Sequence, residues 1–163
     1  NLADCECTLN PDQMLVQQCR QDGQVVTEVV TQLVNETVGD FVELTGYPDC
    51  VFEITSIVQD NSTDTISAVR NDITDCTDVC QTYRFTNTSG GPIANVAYTD
   101  CNGDPQNIPL IEEGEFEEVC ATEIPPVQPV GIEVALISCT CDVVPTQFLE
   151  VRICDAGNKY ITD

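Results

Sequence analysis

The chain has 163 residues, room for one domain or two small ones, and 42% apolar against 20% charged residues is a composition that folds in water. Five Lys and Arg stand against 28 Asp and Glu, a formal charge of -23 that repels nucleic-acid phosphates and anionic lipid head groups and excludes both as partners. With no His and no Trp, mechanisms that use an imidazole base, a His metal ligand or a CxxCH haem attachment are excluded as well. No apolar run approaches the roughly 20 residues of a membrane span, and no basic segment followed by an apolar one marks an intact export signal. The expectation is a soluble chain with no membrane insertion.

Val, Thr and Ile dominate, and short apolar runs are broken by Asp-Gly, Gly-Gly, Asn-Gly and Pro. That pattern predicts an all-β fold, built as small disulfide-stapled β-sandwich or meander modules in a tandem or linear assembly. Leu15 to Cys19 and Gln24 to Val34 flank Asp22-Gly23 and read as a long hairpin. Strands follow at Phe41 to Leu44 and Val51 to Val58, with Gly46-Tyr-Pro-Asp49 as the turn between them. Residues 60 to 78 are polar and read as a loop or irregular edge tethered by Cys76 and Cys80. Residues 1–79 thus hold the head hairpin and a first β module.

A second module occupies 80–124. Its segments TYRFTNT, NVAYTDC, QNIPLI and EFEEVCA are separated by turns at Gly90-Gly91-Pro92, Asn102-Gly103 and Glu113-Gly114, and their even spacing predicts a four-strand meander. Residues 125–130 begin with Pro125-Pro126-Val-Gln-Pro129, a stiff extended spacer that cannot join a sheet interior. Residues 131–163 return to strand character in VALISCTC and lead into a second copy of the head.

That copy is visible as a match between CECTLNPDQML at 5 to 15 and CTCDVVPTQFL at 139 to 149, 134 residues later. Cys5, Cys7, Pro11, Gln13 and Leu15 recur as Cys139, Cys141, Pro145, Gln147 and Leu149. One inserted residue then shifts the offset to 135, and Val16, Cys19 and Thr27 align with Val151, Cys154 and Thr162, with Asp22-Gly23 opposite Gly157-Asn158. Residues 5 to 138 hold eight of the cysteines, an even set, and the other three open a second copy. The reading is one complete repeat plus the head of the next, either in a longer tandem array or with the tail taking the place of a neighbour's head hairpin.

The eleven cysteines are Cys5, Cys7, Cys19, Cys50, Cys76, Cys80, Cys101, Cys120, Cys139, Cys141 and Cys154. CxxC, the usual signature of zinc or iron-sulfur sites, is absent, so disulfides are expected, with no metal site, in an extracellular or virion-surface location. Cys5 and Cys7 would share one face of a strand and need separate partners. Cys76 and Cys80 are the natural ones, with Cys19–Cys50 and Cys101–Cys120 completing four bridges. Sequons at Asn35, Asn61 and Asn87 are candidate glycosylation sites.

In the acidic cluster Glu112, Glu113, Glu115, Glu117 and Glu118, strand alternation puts Glu115 and Glu117 on one face and Phe116 on the other, which reads as a solvated sheet face rather than a paired-acid glycosidase site. Asp60 to Asp64 and the trio Asp72, Asp75 and Asp78 offer oxygen ligands for calcium but lack the spacing of an EF-hand loop. No serine sits in a G-x-S-x-G elbow, and no catalytic residue is assigned.

The second module carries a pattern of its own in Tyr83, Phe85, Asn87, Val96, Tyr98, Asp100, Cys101, Gly103, Val119, Cys120 and Ala121. It resembles a β module of virion structural and tail-fibre proteins of tailed phages and marine viruses, over about 45 residues. The family often continues with Arg-Glu where this chain has Thr122-Glu123, so a role resting on that arginine does not transfer. The resemblance implies an appendage or decoration role without catalytic residues. The function expected is a non-enzymatic structural subunit or repeat of an extracellular or virion fibre whose partner is itself, as a homo-oligomer or filament joined by strand pairing and disulfides. The alternative is an adhesin or carbohydrate-binding module that recognises a cell-surface glycan or receptor. No cofactor is assigned beyond the calcium option.

Overall fold

The structure, a computed structural model, describes residues 12–141 and the backbone of two further strands, Ile153–Cys154 and Tyr160–Ile161. It is all-β, as the composition predicts, and no helix of the described residues is long and apolar enough to cross a membrane.

The first module contains β1 (Gln13–Gln18), β2 (Thr27–Thr31), β3 (Phe41–Leu44), β4 (Tyr47–Val58) and β5 (Ile66–Val69), in an antiparallel sheet of order β2-β1-β4-β3-β5. Alternation decides its inner face. Met14 and Val16, Phe52 and Ile54, and Val42 and Leu44 fall two apart on their strands and join Val30 and Ile66 in one buried cluster. A single sheet buries a face this fully only by rolling up, and the two edges do meet. Val30 bridges Asp64, just ahead of β5, and the Thr63 amide donates to the Val29 carbonyl at 2.7 Å. A bulge between Leu15 and Val16 in the pairing of β1 with β4 supplies the bend. The head hairpin is therefore a wall of a small barrel, with β1 paired on both sides.

The expected turn at Gly46 to Asp49 is shorter than predicted. Tyr47 already belongs to β4 and pairs with Leu44 across a Thr45-Gly46 turn. Asp64 accepts the Gly46 N–H on both carboxylate oxygens at 3.1 Å, and the Tyr47 ring packs edge-on against Phe52 while its hydroxyl donates to Glu28 at 2.8 Å. These contacts draw Tyr47 into the sheet. The polar stretch behind it supplies β5 at the barrel seam and a single 3-10 turn at Cys76–Asp78.

The second module contains β6 (Gln81–Asn87), β7 (Ile93–Thr99), β8 (Pro105–Ile111), β9 (Phe116–Ala121) and β10 (Ile132–Ser138). Its strands nest rather than meander. β6 lies between β10 and β9, and β7 pairs along its length with β8, its last residue Thr99 also bridging Glu123 just after β9. The β7–β8 ribbon packs over the three-stranded sheet, so that Val96, Ile108 and Ile111 share a core with Tyr83, Phe85 and Ala121. The strand after the Pro-rich spacer thus completes this sandwich instead of opening a separate segment.

The last two strands, β11 (Ile153–Cys154) and β12 (Tyr160–Ile161), pair antiparallel with Ile153 opposite Ile161 and Cys154 opposite Tyr160.

Candidate functional site

The feature that organises the molecule is a set of four disulfides gathered where barrel and sandwich meet. Cys19 bonds Cys76, Cys50 bonds Cys139, Cys80 bonds Cys101 and Cys120 bonds Cys141, with Cα separations between 4.9 and 5.4 Å. The Cys50–Cys139 bridge ties the barrel strand β4 to the end of the sandwich strand β10. The other three secure the linker between the modules and the base of the sandwich.

This pairing corrects the expected one. Cys19 donates its amide to Val51 and packs with Val51 and Phe41, whereas Cys50, one residue along, shares the barrel core with Phe52 and Ile54. Adjacent strand positions point to opposite faces, so Cys19 and Cys50 cannot meet. Cys101 follows β7 in the ribbon layer, while Cys120 lies on β9 in the other layer, opposite Thr82. Cys80, ahead of β6, is the residue that reaches Cys101. With Cys76 and Cys80 both engaged, neither serves Cys5 or Cys7, which lie outside the described residues. The closed set of eight cysteines therefore runs from Cys19 to Cys141 rather than over residues 5 to 138. The sulfurs of Cys80, Cys101 and Cys141 lie within 4.8 Å of one another, but as members of disulfides they have no thiolate to offer a metal.

A polar lock accompanies the bridges. The Asp22-Gly23 turn of the head hairpin reaches the sandwich, where the Asp22 carboxylate accepts the Leu136 amide at 3.0 Å and is gripped by Arg20 at 3.0 and 2.6 Å. The Asp22 side chain is only 2% exposed. Burial raises its pKa, but the bonds from Arg20, Leu136 and Gln24 outweigh that and hold the carboxyl below its ordinary range. Beside it the Tyr83 hydroxyl accepts the Gln21 amide at 2.9 Å and donates to Gln81 at 2.7 Å, and burial pushes this phenol up to about 12. Sequence reasoning reads Asp22 only as a turn residue. Its second role needs the β10 backbone beside it, which no local signal announces.

The remaining candidates disperse. Asp64 serves Gly46, Asp72 pairs with Arg70, and Asp75 and Asp78 form a reciprocal capping box on the 3-10 turn. Glu118 pairs at 2.5 Å with Arg84, whose guanidinium stacks 4.3 Å above the Phe116 ring, and Glu112, Glu113, Glu115 and Glu117 are exposed. Asn35 and Asn61 are exposed, but Asn87 is fully buried and its amide nitrogen donates to the Gly91 and Ile111 carbonyls, both at 2.8 Å. A glycan on that nitrogen would replace one of its two hydrogens, break at least one of these bonds and need room that the buried site does not have. The residues that carry the family resemblance fill the sandwich core, shape its turns or form its bridges. Asp100, for example, caps the turn through Gly103 by accepting the Asn102 and Asp104 amides. A groove of about 730 Å³ between the Arg20–Gly23 turn and the Pro125–Pro129 segment has no aromatic ring in its lining. Comparison with protein-family models, curated proteins and solved structures finds no match.

The repeat seen in the sequence has a counterpart in strand register. The Gln18 amide donates to the Val26 carbonyl at 2.9 Å, continuing the β1–β2 pairing, in which Gln17 faces Thr27. Advanced by 135 residues, Gln18 and Val26 become Ile153 and Ile161, which face each other in the β11–β12 hairpin.

Proposed function

We propose that this chain is a non-enzymatic structural subunit or repeat of an extracellular or virion fibre, joined to its neighbours through strand pairing and disulfides. The observation that carries the reading is the second hairpin. Immediately after a barrel and sandwich closed by four bridges, the chain begins the first hairpin again in the same register. Four disulfides are those of a protein that matures in an oxidising, non-cytoplasmic location. The resemblance of the second module to virion and tail-fibre modules points the same way. So does the use of that module's motif residues for packing and turns. The alternative of a glycan-binding module calls for grouped exposed rings, and the groove between the Arg20–Gly23 turn and the Pro125–Pro129 segment carries none.

Chains of one to four copies, imaged by negative-stain electron microscopy, test the reading. Rods that lengthen by a constant increment per copy are expected. Compact particles whose longest dimension does not grow with copy number would overturn it.

A further inference from the structure

The Cys-x-Cys pair occurs twice, at Cys5/Cys7 and at Cys139/Cys141. The structure describes the second, and both of its sulfurs are engaged by residues that precede it, Cys139 by Cys50 and Cys141 by Cys120. All eight cysteines of residues 12–141 are paired among themselves. By the repeat offset, Cys5 and Cys7 are the counterparts of Cys139 and Cys141. Building on the fibre reading above, we propose that the Cys-x-Cys pair is a clamp that closes the unit on its N-terminal side. Cys5 and Cys7 then bond the Cys50 and Cys120 equivalents of a preceding copy of this repeat. The unit runs from residue 8 to Cys141.

The barrel gives the clamp its direction. The chain enters the sheet at Gln13, opposite Val58, and Cys50 with its partner Cys139 lies toward the other end of the same sheet, beyond the pair Gln18–Phe52. Seven strand positions separate Gln13 from that site, about 23 Å. Each unit therefore takes in chain at one rim and receives its own clamp at the opposite one. By the repeat offset the counterpart of Gln13 is Gln147, six residues past Cys141. A charge of -23 opposes purely non-covalent contact between copies, which a covalent clamp withstands. Each bridge forms by exchange with a disulfide oxidant such as glutathione disulfide. Two thiols lose two protons and two electrons, one S–S bond forms in the protein, and the oxidant's S–S bond breaks to give two thiols.

Two experiments decide the matter. In the 163-residue chain, C139S/C141S opens Cys50 and Cys120. In glutathione redox buffer with added salt to screen repulsion, the variant should give a ladder of covalent oligomers on non-reducing gels. Peptide mapping should place Cys5 and Cys7 of one molecule on Cys50 and Cys120 of another, and C5S/C7S should abolish the ladder. A variant that is folded by circular dichroism and stays monomeric, or that links Cys5 and Cys7 elsewhere, overturns the proposal.

The second experiment holds even if that variant does not fold. In a two-copy chain, residues 1–141 followed directly by 8–141, C50S/C120S placed in the second copy should leave the central Cys-x-Cys pair resistant to alkylation, and the same change in the first copy should free it. The opposite pattern overturns the direction of the clamp. Rods with a forward-bonded pair would sink this inference alone, and compact particles with a backward-bonded pair would sink the fibre reading alone.

Discussion

Replacing Cys50 and Cys139 together with Ala removes the one bridge that joins the barrel strand β4 to the sandwich strand β10. The two residues are 89 apart in sequence, and a loop of that length, freed in the unfolded chain, is worth about 4.6 kcal/mol at 25 °C. The bridges Cys80–Cys101 and Cys120–Cys141 short-cut that loop. They reduce its effective length to about 50 residues, but the logarithm lowers the value only to about 4.2 kcal/mol. For a body of this size that corresponds to a melting temperature lower by about 15 °C. Differential scanning calorimetry of the wild type and C50A/C139A measures the shift, and alkylation followed by mass spectrometry checks that the other three bridges remain. A loss below about 1 kcal/mol, roughly 4 °C, would refute the argument. It would mean that the junction contacts alone already restrain the two modules as the bridge does.

Asp22→Asn should cost about 2 to 3 kcal/mol, since it removes a buried charged acceptor of Arg20 and the Leu136 amide. Because the folded pKa of Asp22 is depressed, its contribution is complete above the ordinary value of 3.8 and fades as pH falls through the lower folded value. Urea midpoints of wild type and variant should therefore converge in strong acid, and a gap that stays constant down to pH 2 would contradict this. Gly131→Ala should destabilise more than Gly103→Ala. Both glycines have positive φ, but only at Gly131 would a new Cβ fall 2.5 Å from Ser89. Comparable melting losses in the two variants would refute that ranking. Asn87→Ala removes the bonds to the Gly91 and Ile111 carbonyls from a fully buried position and should cost about 2 to 4 kcal/mol. Glycopeptide mapping of protein from a glycosylating host should find no glycan on Asn87, whether or not Asn35 and Asn61 carry one, and a fully occupied Asn87 would disprove its burial.

Strand positions were legible because alternation is local. Leu15 to Cys19, Phe41 to Leu44 and the four segments of the second module all fall on observed strands. Which strand lies beside which was not. An even series of strands and turns is compatible with a meander or a nested order, and only the ribbon folding back over Tyr83 and Phe85 chooses between them. Disulfide pairing suffered for the same reason. Cys19 and Cys50 complete a plausible set of bridges on paper until the pleat sends them to opposite faces. The closure of the barrel depends on Asp64, which in the sequence is one acid in a polar run and in the fold is the residue that meets Val30 and holds the Gly46 turn. The sequon at Asn87 is a pattern of three residues, blind to the two carbonyls that enclose its amide.

The bridge pattern also sets how far the unit can stretch under tension. Pulled at Asp12 and Cys141, an uncrosslinked chain would pay out to about 460 Å. Here load can pass from Cys19 to Cys76, from Cys80 to Cys101 and from Cys120 to Cys141, so that only residues 12–19, 76–80 and 101–120 lie on the shortest covalent path. That path is taut at about 120 Å. Beyond that length the force is borne by sulfur-sulfur bonds rather than by strand pairing. An array of such units would be limited to that taut length under oxidising conditions and would reach a nearly fourfold greater one once reduced.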